Sequence, residues 1–311
     1  MVGDIWRRSG GMEVWMNRGL RLLLDKPGLV VAPGCHDALG ARIAQKLGFK
    51  AVYISGNATA ASRLGKPDIG LLGLSEMVSH ARRIVSAVDI PVICDADTGY
   101  GGISNVARTV QEYEEAGVAG IHIEDQVMPK KCGAMPGVEI VPLSDAVARV
   151  RAAVRAKKNR DFVIIARTDA RATGDFEEAL RRARVFAAAG ADMIFVENLT
   201  SRSEIEEVPR VITSTPLLFD VLEKAWPWTD IPLSDIEKMG YKAVIYCLAT
   251  TLTYAKATKD LLSTIKEKGC TSGLVEAMMD LHEYEEILGL SDINNRNDKV
   301  ISDASEILRE K

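Results

Sequence analysis

Eight short apolar runs, separated by longer amphipathic segments, pace this chain: Leu29–Ala32, Ala51–Ile54, Pro91–Cys94, Gly120–Ile123, Phe162–Ala166, Met193–Val196, Leu217–Phe219 and Ala243–Tyr246. Runs of this length read as parallel strands buried on both faces. The intervening segments have recognisable ends. Leu47-Gly48, Ala116-Gly117, Ala189-Gly190 and Met239-Gly240 place a glycine where a helix must turn left-handed into a short αβ loop. Ser75, Ser104 and Ser144 stand as N-caps of helices over 76–88, 105–116 and 145–157. Eight strand–helix units predict an α/β protein of the (β/α)8, or TIM-barrel, class. No G-x-G-x-x-G follows the first run, which argues against a dinucleotide-binding open sheet.

The organisation expected is a leader and helix over residues 1–28, with the helix at Met12–Asp25. A barrel catalytic domain follows over 29–268, then a C-terminal helical extension over 269–311. Within the extension, Leu281–Leu290 reads as an oligomer-facing helix and Asp292–Lys311 as a solvated, charged tail. At 311 residues and 47% hydrophobic content the chain can bury a large core. A net charge of −4 gives no electrostatic case for nucleic acid or an anionic membrane. With no apolar run of membrane-spanning length and no signal-peptide pattern, a cytoplasmic location is the expectation. The five cysteines are widely spaced and form no zinc or disulfide pattern.

A barrel demands that polar chemistry gather at the carboxyl ends of its strands. Six successive runs meet that demand: Ser55-Gly56-Asn57, Asp95 with Asp97, Glu124-Asp125, Arg167 with Asp169, Glu197-Asn198, and Asp220. Asp95 and Asp97 lie two apart, so in extended backbone their carboxylates converge and invite a hard divalent cation. A plain pair of turn carboxylates, with Asp97 capping a helix, is the competing reading. Gln126–Pro142, a long polar loop bearing Lys130-Lys131-Cys132-Gly133, reads as an ordered active-site flap. Two lysines beside a thiol favour a lowered Cys132 pKa. The four histidines show no metal-ligand spacing; His36 and His122 are expected to satisfy local hydrogen bonds, and His80 and His282 to be structural.

Ser55-Gly56, Gly65-Lys66-Pro67-Asp68, Asp95-Ala96-Asp97-Thr98-Gly99-Tyr100-Gly101, Ile123-Glu124-Asp125, Lys130-Lys131-Cys132-Gly133, Ile165-Ala166-Arg167-Thr168-Asp169-Ala170 and Phe195-Val196-Glu197 occur in this order. Together they resemble the isocitrate lyase/phosphoenolpyruvate mutase superfamily, over roughly Leu29 to Lys268. The resemblance implies a Mg²⁺-dependent barrel enzyme (Mn²⁺ being an alternative ion) acting on small 2-oxo or 2-hydroxy acids. It also implies a homotetramer whose neighbouring subunits exchange C-terminal helices. Position by position it makes Asp95 the direct metal ligand, with Asp97, Glu124 and Asp68 holding metal-bound waters. Ser55, Gly56 and Asn57 would donate to the substrate carboxylate, with Gly133 and Asp220 also lining the substrate site. Arg167 would pair with a carboxylate, Cys132 would be the acid that protonates an enolate, and Tyr53 would help deprotonate a hydroxyl, with Glu197 completing the catalytic set.

Four departures from the family pattern stand out. Ala134 replaces the histidine after Cys-Gly, and Asp220-Val221 replaces Asn-Met. Tyr246–Thr253 carries no arginine for an extra carboxylate, and Trp226 and Trp228 in Lys224–Thr229 either narrow the pocket or pack at a subunit contact. These changes disfavour isocitrate and 2-methylisocitrate as substrates. The expected activity is a carbon–carbon lyase of carboxylic acid metabolism, similar to the dimethylmalate lyase branch. A carboxyphosphonoenolpyruvate-type phosphonomutase, an oxaloacetate-type decarboxylase and a catalytically silent metabolite binder are the alternatives.

Overall fold

The computed structural model describes residues 19–223 and 230–309. Eight parallel strands form one sheet: β1 (Val30–Pro33), β2 (Val52–Ile54), β3 (Val92–Asp95), β4 (Gly120–Glu124), β5 (Val163–Thr168), β6 (Met193–Val196), β7 (Leu217–Asp220) and β8 (Ala243–Tyr246). Each strand pairs with its sequence neighbour from β2 to β8, and β8 pairs with β1. A parallel bridge between Gly34 and Tyr53, with Cys35 N donating to Tyr53 O at 2.8 Å, brings β1 back against β2 and closes the ring. The expected barrel is therefore present, with each strand within two residues of its anticipated bounds.

Side-chain alternation sorts the strands into two sets. Ala32, Tyr53, Ile93, Ile165, Phe195, Leu218 and Ile245 pack together in the lumen. Their neighbours Ile54, Cys94, Ile121, Ile164, Ile194 and Val244 belong to the apolar shell under the helices. Leu20 and Leu24, from the helical residues 19–25, join the lumen cluster, each burial stabilising by roughly 1.5–3 kcal/mol. The rest of the expected Met12–Asp25 helix lies outside the described residues.

The αβ glycines behave as expected, with φ of 90°, 82°, 97° and 107° at Gly48, Gly117, Gly190 and Gly240. The N-caps do not. Helices begin at Leu74, Ile103 and Leu143, one residue before the serines, with Gly73, Gly102 and Pro142 as caps. In the first two, Glu76 and Asn105 reach back to accept from the cap N–H at 2.9 and 3.2 Å. This one-sided bond satisfies the N–H of the glycine cap itself, while the glycine offers no side chain to the first turn.

The described chain separates into two compact units, Met1–Leu252 and Thr253–Lys311. Within the second, Asp280 caps the helix Leu281–Leu288, Gly289 ends it at φ 79°, and Leu290–Arg309 forms a further helix. The expected solvated tail is thus helical. Leu290, Ile293, Val300 and Ile307 recur at spacings of three and seven, a helical stripe that the charged residues between them obscure. Among the described residues no helix is long and apolar enough to cross a membrane.

Candidate active site

The lumen pattern leads directly to the site. Two residues beyond Tyr53, Ile93, Ile165, Phe195, Leu218 and Ile245 come Ser55, Asp95, Arg167, Glu197, Asp220 and Cys247. Each of these six inward-facing rows therefore ends in a polar side chain. All six line one pocket with Asn57, Asp68, Lys130, Cys132 and Gly133.

Asp95 is held by backbone: Gly56 N donates to Oδ2 at 3.0 Å and Asp97 N to Oδ1 at 2.9 Å. The turn that follows depends on glycine. Gly99 sits at φ 86°, where a Cβ would lie 2.5 Å from Val106 Cγ2. Burial works against ionisation of Asp95, but His122, Lys130 and Arg167 outweigh it and hold the carboxyl below its usual range. His122 occupies the position opposite Asp95 in the β3/β4 register. Its Nε2 lies 2.7 Å from Tyr53 Oη and its Nδ1 3.5 Å from Asp95 Oδ1.

Asp95, His122 and Glu124 bring ligand atoms within 4.8 Å of one another. Both Glu124 oxygens are buried without a hydrogen bond among the described residues. Two carboxylates with open lone pairs suit a hard divalent cation, so the donor set fits the ion that the resemblance implies. His122, read from sequence as a local hydrogen-bonding residue, belongs to this cluster. The signal was its i, i+2 spacing to Glu124 on one strand. Asp68 and Asp97 stand beside the cluster, both paired with Lys130 Nζ, at 2.8 Å from Asp68 Oδ1 and 2.6 Å from Asp97 Oδ1.

That geometry corrects the reading of the two lysines. Lys130 is 2% exposed and spends its charge on aspartates, while Lys131 Nζ donates to Gly137 O at 2.9 Å. Burial therefore dominates Cys132 and raises its thiol pKa, against smaller lowering effects of the Ala134 backbone and the Asn57 side chain. A thiol kept protonated suits a proton donor.

The flap is ordered as expected. Gln126 and Ile140 form an antiparallel bridge, and Gln126 clamps Lys131 by accepting from its N and donating to its O, both at 2.9 Å. Asn198, at φ 65°, donates its amide to Gly133 O. Gly133 is packed so closely that a Cβ would fall 2.6 Å from Arg167 Nη2 and 2.8 Å from Glu197 Cγ.

Arg167 is gripped by Asp169 through Nε–Oδ2 at 3.0 Å and Nη2–Oδ1 at 2.7 Å, and reaches Glu124 and Glu197 at 3.5 and 4.0 Å. Burial raises Glu197, partly offset by Arg167. Burial and then the Glu197 charge push Asp220 well up, favouring its neutral form. Burial likewise pushes Tyr53 well above the ordinary phenol value. Lys224–Thr229, with the two tryptophans, lie outside the described residues.

Residues 20–266 match the family described as phosphoenolpyruvate phosphomutase. The chain is 44% identical over 274 residues to 2,3-dimethylmalate lyase of Eubacterium barkeri, covering 88% of this chain and 94% of that protein. It is 42% identical over 290 residues to 2-methylisocitrate lyase of Aeropyrum pernix, covering 93% and 92%. Its fold matches oxaloacetate acetylhydrolase bound to the inhibitor 3,3-difluorooxalacetate with a TM-score of 0.87 at 35% identity, over 92% of this chain and 97% of that one. The chain thus belongs to the phosphoenolpyruvate phosphomutase family, within the superfamily that also contains the isocitrate lyases.

Proposed function

We infer that the protein is a magnesium-dependent lyase that cleaves or forms a carbon–carbon bond in a small 2-hydroxy or 2-oxo carboxylic acid. The observation that carries this reading is the placement of the half-buried Cys132 thiol, whose pKa burial raises, in the same pocket as Arg167 and the Asp95 carboxylate. Asp95 and Glu124 would hold the metal, with Asp68 and Asp97 beside them. When bound, a divalent cation supplies Lewis-acid neutralisation of the charge that develops on the substrate oxygens.

The residues of the chain do the rest. Arg167, aimed by Asp169, binds a substrate carboxylate, and Ser55 and Asn57 offer donors from the other side of the pocket, the Gly56 N–H being engaged by Asp95. Glu197, raised by burial, is placed to receive the hydroxyl proton when the C2–C3 bond breaks, and Tyr53, a phenol that burial keeps protonated and that contacts His122, helps by hydrogen-bonding the substrate oxygen. Cys132 then donates its proton to the carbon that carried the broken bond, while the flap excludes water. Because burial and the Glu197 charge favour the protonated form of Asp220, it would keep a donor and an acceptor where the family has an amide.

A homotetramer with exchanged C-terminal helices and a cytoplasmic location belong to the same reading. The apolar stripe of Leu290–Arg309, which has no buried residue in the single chain, supports an oligomer. The test is incubation with Mg²⁺ and a panel of 2-hydroxy di- and tricarboxylates, oxaloacetate and phosphonopyruvate, with products followed by NMR. Cleavage to a 2-oxo acid and a carboxylic acid, lost with EDTA, is expected. Hydrolysis or phosphorus–carbon chemistry alone would replace the lyase with another activity of the family.

A further inference from the structure

Asp125, the first residue past β4, does not line the pocket and turns its carboxylate to the end of β5 and to an outer helix. It is nevertheless 1% exposed and saturated with partners. Its Oδ1 accepts from Asp169 N at 2.9 Å, and its Oδ2 accepts from Thr168 Oγ1 at 2.7 Å and from Arg182 Nη1 at 3.0 Å. Its carbonyl accepts from Val141 N at 2.9 Å. Arg182, on the outer helix Phe176–Ala188, is 4% exposed and donates Nη2 to Val141 O at 2.9 Å and Nε to Glu178 Oε1 at 2.8 Å.

One buried ion pair therefore reaches two parts of the site. Through Asp169 N it fixes the residue whose carboxylate grips Arg167. Through the bond from Arg182 Nη2 to Val141 O, reinforced by the backbone bond from Val141 N to Asp125 O, it anchors the far end of the loop that carries Cys132. Buried pairs of this kind add little stability over an apolar pair of the same volume, so their directional hydrogen bonds are what such a pair contributes. The planar fork of Arg182 uses three of its donors in three directions, which an ammonium cannot reproduce.

We propose that Asp125 and Arg182 are positioning residues, which set Asp169 and hence the Arg167 guanidinium, and tie the flap to the same anchor. The proposal rests on the reading that Arg167 binds a substrate carboxylate. A displacement of about 1 Å in such a group costs up to roughly 100-fold in rate.

The test compares wild type with Asp125→Asn, Arg182→Lys and Arg182→Met for steady-state turnover of the acid found by the NMR panel. Mg²⁺ binding without substrate and the urea midpoint are measured alongside. Because Arg167 holds its carboxylate in ground and transition states alike, KM should rise about 10- to 100-fold in Asp125→Asn and Arg182→Met, and less in Arg182→Lys. The Mg²⁺ Kd should stay within about twofold, since the Asp95 contacts are untouched. A purely structural pair would lower the urea midpoint and the active fraction at unchanged KM, and that result would overturn the proposal. So would equal damage to Mg²⁺ binding. If Arg182→Met does not fold, the lysine and asparagine variants decide the outcome. If the wild type turns over no acid, the lyase reading fails by itself. Pyruvate binding with Mg²⁺ then tests the pair, a weakened Kd in the variants supporting it and an unchanged Kd overturning it.

Discussion

Lys130 Nζ lies 2.6 Å from Asp97 Oδ1, joining the flap to the turn after β3 inside a pocket where the lysine is almost fully covered. Burial alone would strip its proton, but Asp97, Asp95, Glu124 and Asp68 together raise its pKa well above the ordinary lysine value. The flap is thus pinned by an ammonium among carboxylates. Lys130→Met should cost about 3–5 kcal/mol in urea unfolding, because Asp68 and Asp97 would keep buried charges without a partner. Activity should fall with it. A variant as stable and active as wild type would mean that the pin does not matter.

Asp95→Ala should abolish turnover together with any dependence on Mg²⁺. Calorimetric titration of the variant should show no saturable Mg²⁺ binding in the range where the wild type binds. Full turnover in the variant would remove Asp95 from the metal assignment.

Cys132→Ser should lower the rate of product formation by about 100- to 10,000-fold, the usual worth of a positioned acid. Affinity for a product 2-oxo acid should change little, because the hydroxyl occupies the same space. Retained cleavage, seen in single-turnover experiments, would take the acid role away from this residue.

Gly133→Ala places a methyl group against Arg167 Nη2, Glu197 Cγ and Asp169 Oδ1, all within 2.9 Å. Overpacking of this kind costs about 1–3 kcal/mol, and relieving it displaces either the flap that carries Cys132 or the Arg167, Glu197 and Asp169 side chains. Activity should drop at least tenfold in a protein whose far-ultraviolet circular dichroism is unchanged.

His80, buried on the helix Leu74–Ala87, is lowered to about 4, first by burial and then by the Arg63 charge. The unfolded chain takes up this proton near pH 6.5, whereas the folded chain waits until about pH 4. Stability is therefore fully present above pH 6.5, and falls as pH drops from there towards 4. The loss amounts to no more than about 3 kcal/mol. His80→Gln should flatten that part of the curve in urea midpoints measured across pH, and an unchanged slope would assign it to other groups.

Strand ends were legible because two independent patterns coincide there: an apolar run sets the strand, and the first polar residue in the inward row sets the site. Asp95, Arg167, Glu197 and Asp220 could be picked out in this way. Lys130 could not, since a lysine in a polar loop reads as solvated until the aspartates that surround it, 62 and 33 positions away in sequence, are seen to converge on it. His122 was readable in principle, from parity with Glu124, but a lone histidine in an apolar strand carries a weak signal. The caps were misplaced because Glu76 and Asn105 act backwards along the chain. The final helix was hidden because its charged faces dominate its composition.

The ring of strands is uneven in its joints. β4 and β5 share five paired positions, whereas β1 meets β2 through the bridge at Gly34 and Tyr53. Gly34 itself is pressed so near the carbonyls of Tyr246 and Cys247 that a methyl group there would lie 2.6 Å from each. The thinnest seam in the barrel wall therefore runs alongside Tyr53, two residues below Ser55, next to the donors placed to meet the substrate. A ligand that bridges Ser55 to Arg167 across the lumen would act as a spoke, and it would brace the ring from within at the place where its own hydrogen bonding is sparsest.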